Sequence, residues 1–158
     1  MSSAEDLKFL RIALEEAKKC IPTSAAFCVG CVIVDPSSQT IISKGYSRER
    51  PGNTHAEENA LTKLFESPDF KDGLIGLDMY STMEPCSERL SGNKPCVVRI
   101  LEANGLIQRV VLGVREPDTF VRCVGVEKLQ ENGIIVERNV DPELESECLE
   151  VGKRGHPE

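Results

Sequence analysis

With 158 residues, 40% of them hydrophobic and 28% charged, the chain has the size and composition of one globular domain, long enough to bury roughly 70% of its unfolded surface. A net charge of −7 makes it a poor partner for a phosphate backbone, and no run approaches the ~18 apolar residues of a membrane span, so neither nucleic-acid nor membrane binding is expected. Seven cysteines, an odd count behind a start that lacks a signal-peptide pattern, suit reduced thiols in the cytoplasm, with the nucleus left open.

Residues 4–20 read as an amphipathic helix, with Leu7, Leu10, Leu14 and Ala17 on one stripe, Ser3 as its cap and Pro22 as its stop. Two strands follow, at about 27–34 and 40–46, joined as a hairpin by the turn sequence Asp35-Pro36-Ser37-Ser38. Cys28 and Cys31 have Cys-x-x-Cys spacing, but in a strand those positions face opposite ways. They read as small buried hydrophobes, as do Cys20, Cys123 and Cys148. A loop over Arg48–Asn53 leads to a helix from about His55 to Phe65, and a second loop, Pro68–Gly76, to a central strand over Leu77–Thr82. Pro95 announces a helix over 95–104, closed by Asn104-Gly105. A strand over Gln108–Val114, a loop over Glu116–Phe120, a helix near 121–131 and a last strand after Asn132-Gly133 complete the pattern. The acidic tail from Asp141 reads as a short helix with a frayed end at 155–158, where His156 is no ligand.

Strands alternating with single helices predict parallel pairing of the final three. The expected fold class is α/β, a three-layer α/β/α sandwich around a mixed five-stranded sheet. One domain spans 1–158, with its core at about 5–138. Ligands of such sheets bind at the carboxyl ends of the parallel strands, where Cys86 falls.

Chemistry concentrates between Asn53 and Cys96. His55, Cys86 and Cys96 supply an imidazole and two thiols, three ligands for one tetrahedral Zn²⁺ per chain with the fourth position left for water. Zinc lowers the pKa of such a water from 15.7 to about 7. Glu57, two residues from His55, is placed to move its proton. Cys96 in the first turn of a helix has its thiolate favoured by unpaired backbone N–H groups and the helix dipole. A competing reading makes Thr54-x-x-Glu57 a capping box in which Glu57 only caps the helix. Glu84 is a second acid, a group that orients a ligand or a solvated strand end. Arg89 and Lys94 are either solvated or bind a phosphate.

His55-Ala56-Glu57 with Glu84-Pro85-Cys86 resembles the zinc signature of the cytidine/deoxycytidylate deaminase superfamily. Arg89 stands where a Pro-Cys-x-x-Cys pattern would put its second cysteine, and the next is Cys96. That longer spacing, Glu84-Pro85-Cys86-Ser87, then Gly92, then Pro95-Cys96, resembles the riboflavin-pathway pyrimidine deaminases. Cys28 to Val34, Gly45-Tyr46, Glu116-Pro117-Asp118, Gly125 to Leu129 and Gly133 to Val136 extend the similarity. Ala26 departs from it, standing where related deaminases often carry a sugar-contacting asparagine.

The resemblance implies a stand-alone deaminase of the fungal type, since the chain is too short to include a fused reductase. It implies hydrolytic deamination of the phosphorylated aminopyrimidine 2,5-diamino-6-(ribitylamino)pyrimidin-4(3H)-one 5′-phosphate at C2, with Glu57 as acid and base. Ala56, Glu84, Arg89 and Lys94 are its expected substrate contacts, and a homodimer is the expected assembly. The alternatives are a deoxycytidylate or cytidine deaminase and, from another class, a non-catalytic zinc scaffold.

Overall fold

Ser3 opens the first helix as expected: its hydroxyl accepts from the Asp6 N–H while the Asp6 carboxylate accepts from the Ser3 N–H, each at 3.1 Å. In the computed structural model, which describes residues 3–68, 70–71, 73–86, 89, 93–115 and 124–157, this helix, α1, runs Ala4–Ala17. It stops short of residue 20 because Lys19 and Cys20 already bond to carbonyls three residues back. The strands are β1 (Gly30–Asp35), β2 (Thr40–Tyr46), β3 (Leu77–Met83), β4 (Ile107–Val114) and β5 (Ile135–Arg138). The remaining helices are α2 (Ala56–Glu66), α3 (Cys96–Glu102), α4 (Gly125–Glu131) and α5 (Pro142–Gly152).

The sheet order is β2-β1-β3-β4-β5. β1 pairs antiparallel with β2 and β3, and β3, β4 and β5 are mutually parallel, as the alternation of strands and helices predicts. Two apolar cores lie on opposite faces. Phe9, Leu10 and Leu14 of α1 and Leu144 and Cys148 of α5 pack on Val32, Tyr80 and Val111. Ala60, Leu61 and Leu64 of α2, Val97 and Ile100 of α3 and Leu129 of α4 pack on Cys31, Ile33, Met79 and Val110. The result is the expected three-layer sandwich, and Cys28 and Cys31 are both buried.

β1 begins at Gly30 rather than at 27 because the preceding N–H groups are used elsewhere, Cys28 on Gly152 O and Val29 on Ser47 Oγ. A Cβ on Gly30 would lie 1.8 Å from Ala13 O, and one on Gly45 2.5 Å from Ala56 O. Glycine at these two positions lets α1 and α2 settle against the hairpin from either side.

The short helix expected after Asp141 is α5, but the expected core boundary near residue 138 and the fraying expected from Gly155 are corrected by its packing and by the contacts of His156. Asp141 caps α5 by accepting from the N–H groups of Glu143 and Leu144, and Leu144 and Cys148 are buried in the core. Beyond it, Arg154 Nη2 donates to the carbonyls of Ala17, Lys18 and Cys20, and His156 Nε2 lies 2.7 Å from Ala26 O. Ser87, Gly92, Glu116-Pro117-Asp118 and Cys123, named from the sequence, lie outside the described residues. Among the described residues no helix is long and apolar enough to cross a membrane.

Candidate active site and metal centre

The site forms where α2 and α3 begin, beside the carboxyl end of β3. The loop after β2 is closed by Arg48 N–H on Thr54 O, and Asn59 Nδ2 ties Tyr46 O and Thr54 Oγ1 to α2. His55 is the N-cap of α2, in extended backbone at φ −97° and ψ 162°. Its N–H donates to Glu58 Oε1 at 3.1 Å. The capping partner is therefore Glu58, one residue later than the Thr54-x-x-Glu57 pattern suggests. The Thr54 hydroxyl is occupied with Arg50 O and Asn59 Nδ2. Glu57 is released from capping.

At the other helix, Pro95 is the N-cap and Cys96 the first residue of α3, a one-residue shift from the expected start. The Cys96 N–H donates to Cys86 Sγ at 3.2 Å and the Val97 N–H to Cys86 O at 3.1 Å, so the opening turn of α3 is moored on Cys86. His55 Nδ1 lies 3.4 Å from Cys86 Sγ and 3.5 Å from Cys96 Sγ. All three ligand atoms fall within 4.8 Å of one another. A tetrahedral zinc with ordinary Zn–S and Zn–N bonds holds its sulfur and nitrogen ligands about 3.5 Å apart. The observed triangle fits that ion, and its N, S, S donor set is one that suits zinc. The Cys96 hydrogen bond, aided by His55 and opposed by burial, holds the Cys86 thiol down to about 4. Cys96 is pushed up by the same pairing and by burial. A metal held between them would take both as thiolates.

Glu57 is buried on the first turn of α2, and burial pushes its carboxyl up against the opposing Ser81 bond. Its Oε1 lies 2.7 Å from Ser81 Oγ, which lies 2.6 Å from Met83 O. The single hydroxyl hydrogen of Ser81 thus faces two acceptors. Ser81 was not picked out from the sequence; the one available signal is a hydroxyl inside a wholly buried central strand.

The residues expected to touch substrate are turned to protein partners. Glu84 Oε2 accepts from the Val126 N–H at the start of α4, and Oε1 lies 3.2 Å from Arg115 Nε. Arg89 is buried on Glu58, and Lys94 pairs with Glu102 at the surface. Ala56 is fully buried with its carbonyl over Gly45. Of the sequence candidates, the fold brings His55, Glu57, Cys86 and Cys96 together.

An imidazole and two thiols converge beside a buried carboxylate at the end of a parallel strand, a donor set that could hold one metal ion and suits zinc. A family model, the cytidine and deoxycytidylate deaminase zinc-binding region, matches residues 3–114, and the chain belongs to that family. It is 50% identical over 151 residues to the diaminohydroxyphosphoribosylamino-pyrimidine deaminase of Schizosaccharomyces pombe, covering 95% of this chain and 35% of that protein. It is 33% identical to the riboflavin biosynthesis protein RibD of Actinobacillus pleuropneumoniae, covering 90% of this chain and 34% of that one. The chain therefore spans about a third of the length of these curated relatives. Among solved structures it is similar to Aspergillus oryzae Rib2 deaminase in complex with DARIPP, at TM-score 0.80 and 35% identity, covering 97% of this chain and 92% of that one.

Proposed function

We propose that the chain is a zinc-dependent hydrolytic deaminase of riboflavin biosynthesis. Its substrate is 2,5-diamino-6-(ribitylamino)pyrimidin-4(3H)-one 5′-phosphate, which loses the C2 amine as ammonia. The observation that carries the reading is the convergence of His55 Nδ1, Cys86 Sγ and Cys96 Sγ within 4.8 Å, with Glu57 buried on the adjoining turn. The substrate rests on the long cysteine spacing and on the likeness to the S. pombe and A. oryzae deaminases.

His55, Cys86 and Cys96 are the three protein ligands. Bound there, zinc supplies an activated water at neutral pH. Glu57 would take a proton from that water and deliver it to the ring nitrogen beside C2. As the hydroxyl added at C2 becomes the carbonyl, Glu57 would take its proton and pass it to the departing amine, which leaves as ammonia. One carboxylate thus acts in turn as base and acid. Its buried position keeps the carboxyl out of bulk water, and Ser81 fixes its orientation. One zinc per chain, a single domain over 1–158, a homodimer and a cytoplasmic location complete the reading.

The test is ammonia release by zinc-loaded protein on the ribityl compound, its ribosyl counterpart, deoxycytidylate and cytidine. Turnover of the ribityl compound is expected. Glu57→Gln is expected to keep its zinc and lose turnover by at least about 10²-fold. A near-normal rate in that variant removes Glu57 from the reaction. Turnover of deoxycytidylate alone keeps the chemistry and overturns the substrate.

A further inference from the structure

One carboxylate touches all three segments that carry the metal-ligating side chains. Glu58 Oε1 accepts from the backbone N–H of His55 at 3.1 Å and lies 3.2 Å from Arg89 Nη1. Its Oε2 lies 3.1 Å from Arg99 Nη2. Arg89 belongs to the stretch between Cys86 and Cys96, and Arg99 follows Cys96 by one turn of α3. Arg89 is tied twice more: Nη2 donates to Asn53 O at 2.6 Å and Nη1 to Lys94 O at 3.1 Å. The guanidinium thus joins the loop that enters His55 to the residue just before Pro95-Cys96.

Depth gives these contacts their weight. The Arg89 side chain is 3% exposed and that of Glu58 15%. An exposed ion pair contributes little, but removing one partner of a buried pair strands the other charge. The arrangement also answers a problem posed by the sequence. Where Cys86 and Cys96 are separated by a long stretch, chain connectivity fixes their relative position weakly, since the freedom of a loop grows with its length. A tie inside the stretch, anchored on the residue that caps the histidine helix, restores the constraint.

We propose that Glu58 and Arg89 are positioning residues that set the His55–Cys86–Cys96 triangle for zinc, with Arg99 holding the second Glu58 oxygen. The inference rests on the zinc reading above. Neither side chain needs to touch substrate, and the role is read directly in metal affinity.

The experiment is zinc binding by the full chain in competition with a chromogenic chelator, beside urea unfolding of the metal-free protein. Glu58→Gln keeps an oxygen for the His55 N–H but loses the charge that holds both guanidiniums. Arg89→Met keeps much of the side-chain bulk. Each is expected to weaken zinc binding about 10- to 100-fold, the range for groups that orient metal ligands. The double variant is expected to lose less zinc affinity than the two single losses added together, because the variants share the Glu58–Arg89 contact. Glu66→Gln, which breaks the exposed Arg50–Glu66 pair on the same helix, is expected to leave zinc affinity unchanged. Folded Glu58→Gln and Arg89→Met proteins that bind zinc within about threefold of the parent overturn the proposal, being well short of the expected range. Should Glu58→Gln fail to fold, Arg89→Met decides alone. A parent protein that binds no zinc overturns the zinc reading itself, and the proposal with it.

Discussion

Ser81→Ala tests the contact that holds Glu57, the group proposed to move the proton. The hydroxyl is fully buried, 2.7 Å from Glu57 Oε1 and 2.6 Å from Met83 O, so its removal takes a partner from each and water cannot easily replace it. A hydrogen bond to a charged group contributes about 1.5–3 kcal/mol net. At about 1.36 kcal/mol per tenfold in rate, the whole of it expressed in the transition state is about 10- to 100-fold in kcat. The stability cost of leaving buried acceptors without a donor is about 1–3 kcal/mol. For a chain of this length each kcal/mol lowers Tm by about 2–4 °C. The assay is steady-state ammonia release with zinc content and thermal melting measured on the same preparation. Zinc content is expected to hold, because Ser81 contacts none of the three metal-ligating side chains through a hydrogen bond. Lower Tm with kcat within about twofold of the parent would refute the reasoning, since a bond contributing that much in the transition state costs far more. It would assign Ser81 to bracing the end of β3 at Met83.

Two further predictions concern the scaffold. Asp6 lies under Arg109, a residue near the amino end of β4 that also pairs with Asp78 at the amino end of β3 and with Glu137 of β5. Burial raises the Asp6 carboxyl, but the Arg109, Ser3 and Tyr80 hydrogen bonds outweigh it and hold it at about 2, against an ordinary 3.8. A depressed carboxyl stabilises the fold above its unfolded pKa and loses that contribution as pH falls toward the folded one. The shift corresponds to about 2 kcal/mol at neutral pH. Asp6→Asn is therefore expected to be less stable than the parent above about pH 5, with the gap narrowing toward pH 2. Urea unfolding across that range checks it, and parallel pH profiles for the two proteins would contradict it. Leu144→Ala is expected to cost about 2–5 kcal/mol, as a leucine buried in a packed core does. A loss below about 0.5 kcal/mol would show that α5 is dispensable surface.

The convergence of His55, Cys86 and Cys96 was legible because their chemistry is selective: few residue types suit zinc, and these three stand at the mouths of two helices whose starts the sequence marks. The parallel half of the sheet was legible from strands separated by single helices. What escaped was assignment among neighbours of the same type. Glu57 and Glu58 are adjacent carboxylates, and a capping box at Thr54 or at His55 differs by one residue. Histidine is not among the favoured caps, so the local pattern chose Thr54. The decision is made by Arg50 and Asn59, four and five residues away, which occupy the Thr54 hydroxyl. Arg89 and Glu84 escaped for a related reason: a loop cation and a strand-end acid are solvated unless a partner far along the chain meets them, and Glu58 and Val126 do.

The carboxyl-terminal helix shows how near the boundary lies. Leu144, Cys148 and Val151 recur at helical spacing, an apolar stripe thin enough to be hidden by the acidic residues around it. Its docking depends on groups that no local pattern relates. α1 ends with carbonyls that lack helical partners, and Arg154, 137 positions after Ala17, donates to three of the carbonyls there. A cation at the carboxyl end of α1 also opposes the helix dipole. Gly155 makes the approach possible: it sits at φ 85°, and a Cβ there would meet the Thr23 backbone at 2.8 Å. Arg154 to His156 are held in place, then, by the end of the first helix and the segment after it, a relation that becomes visible only once both are placed on the same face of the sheet.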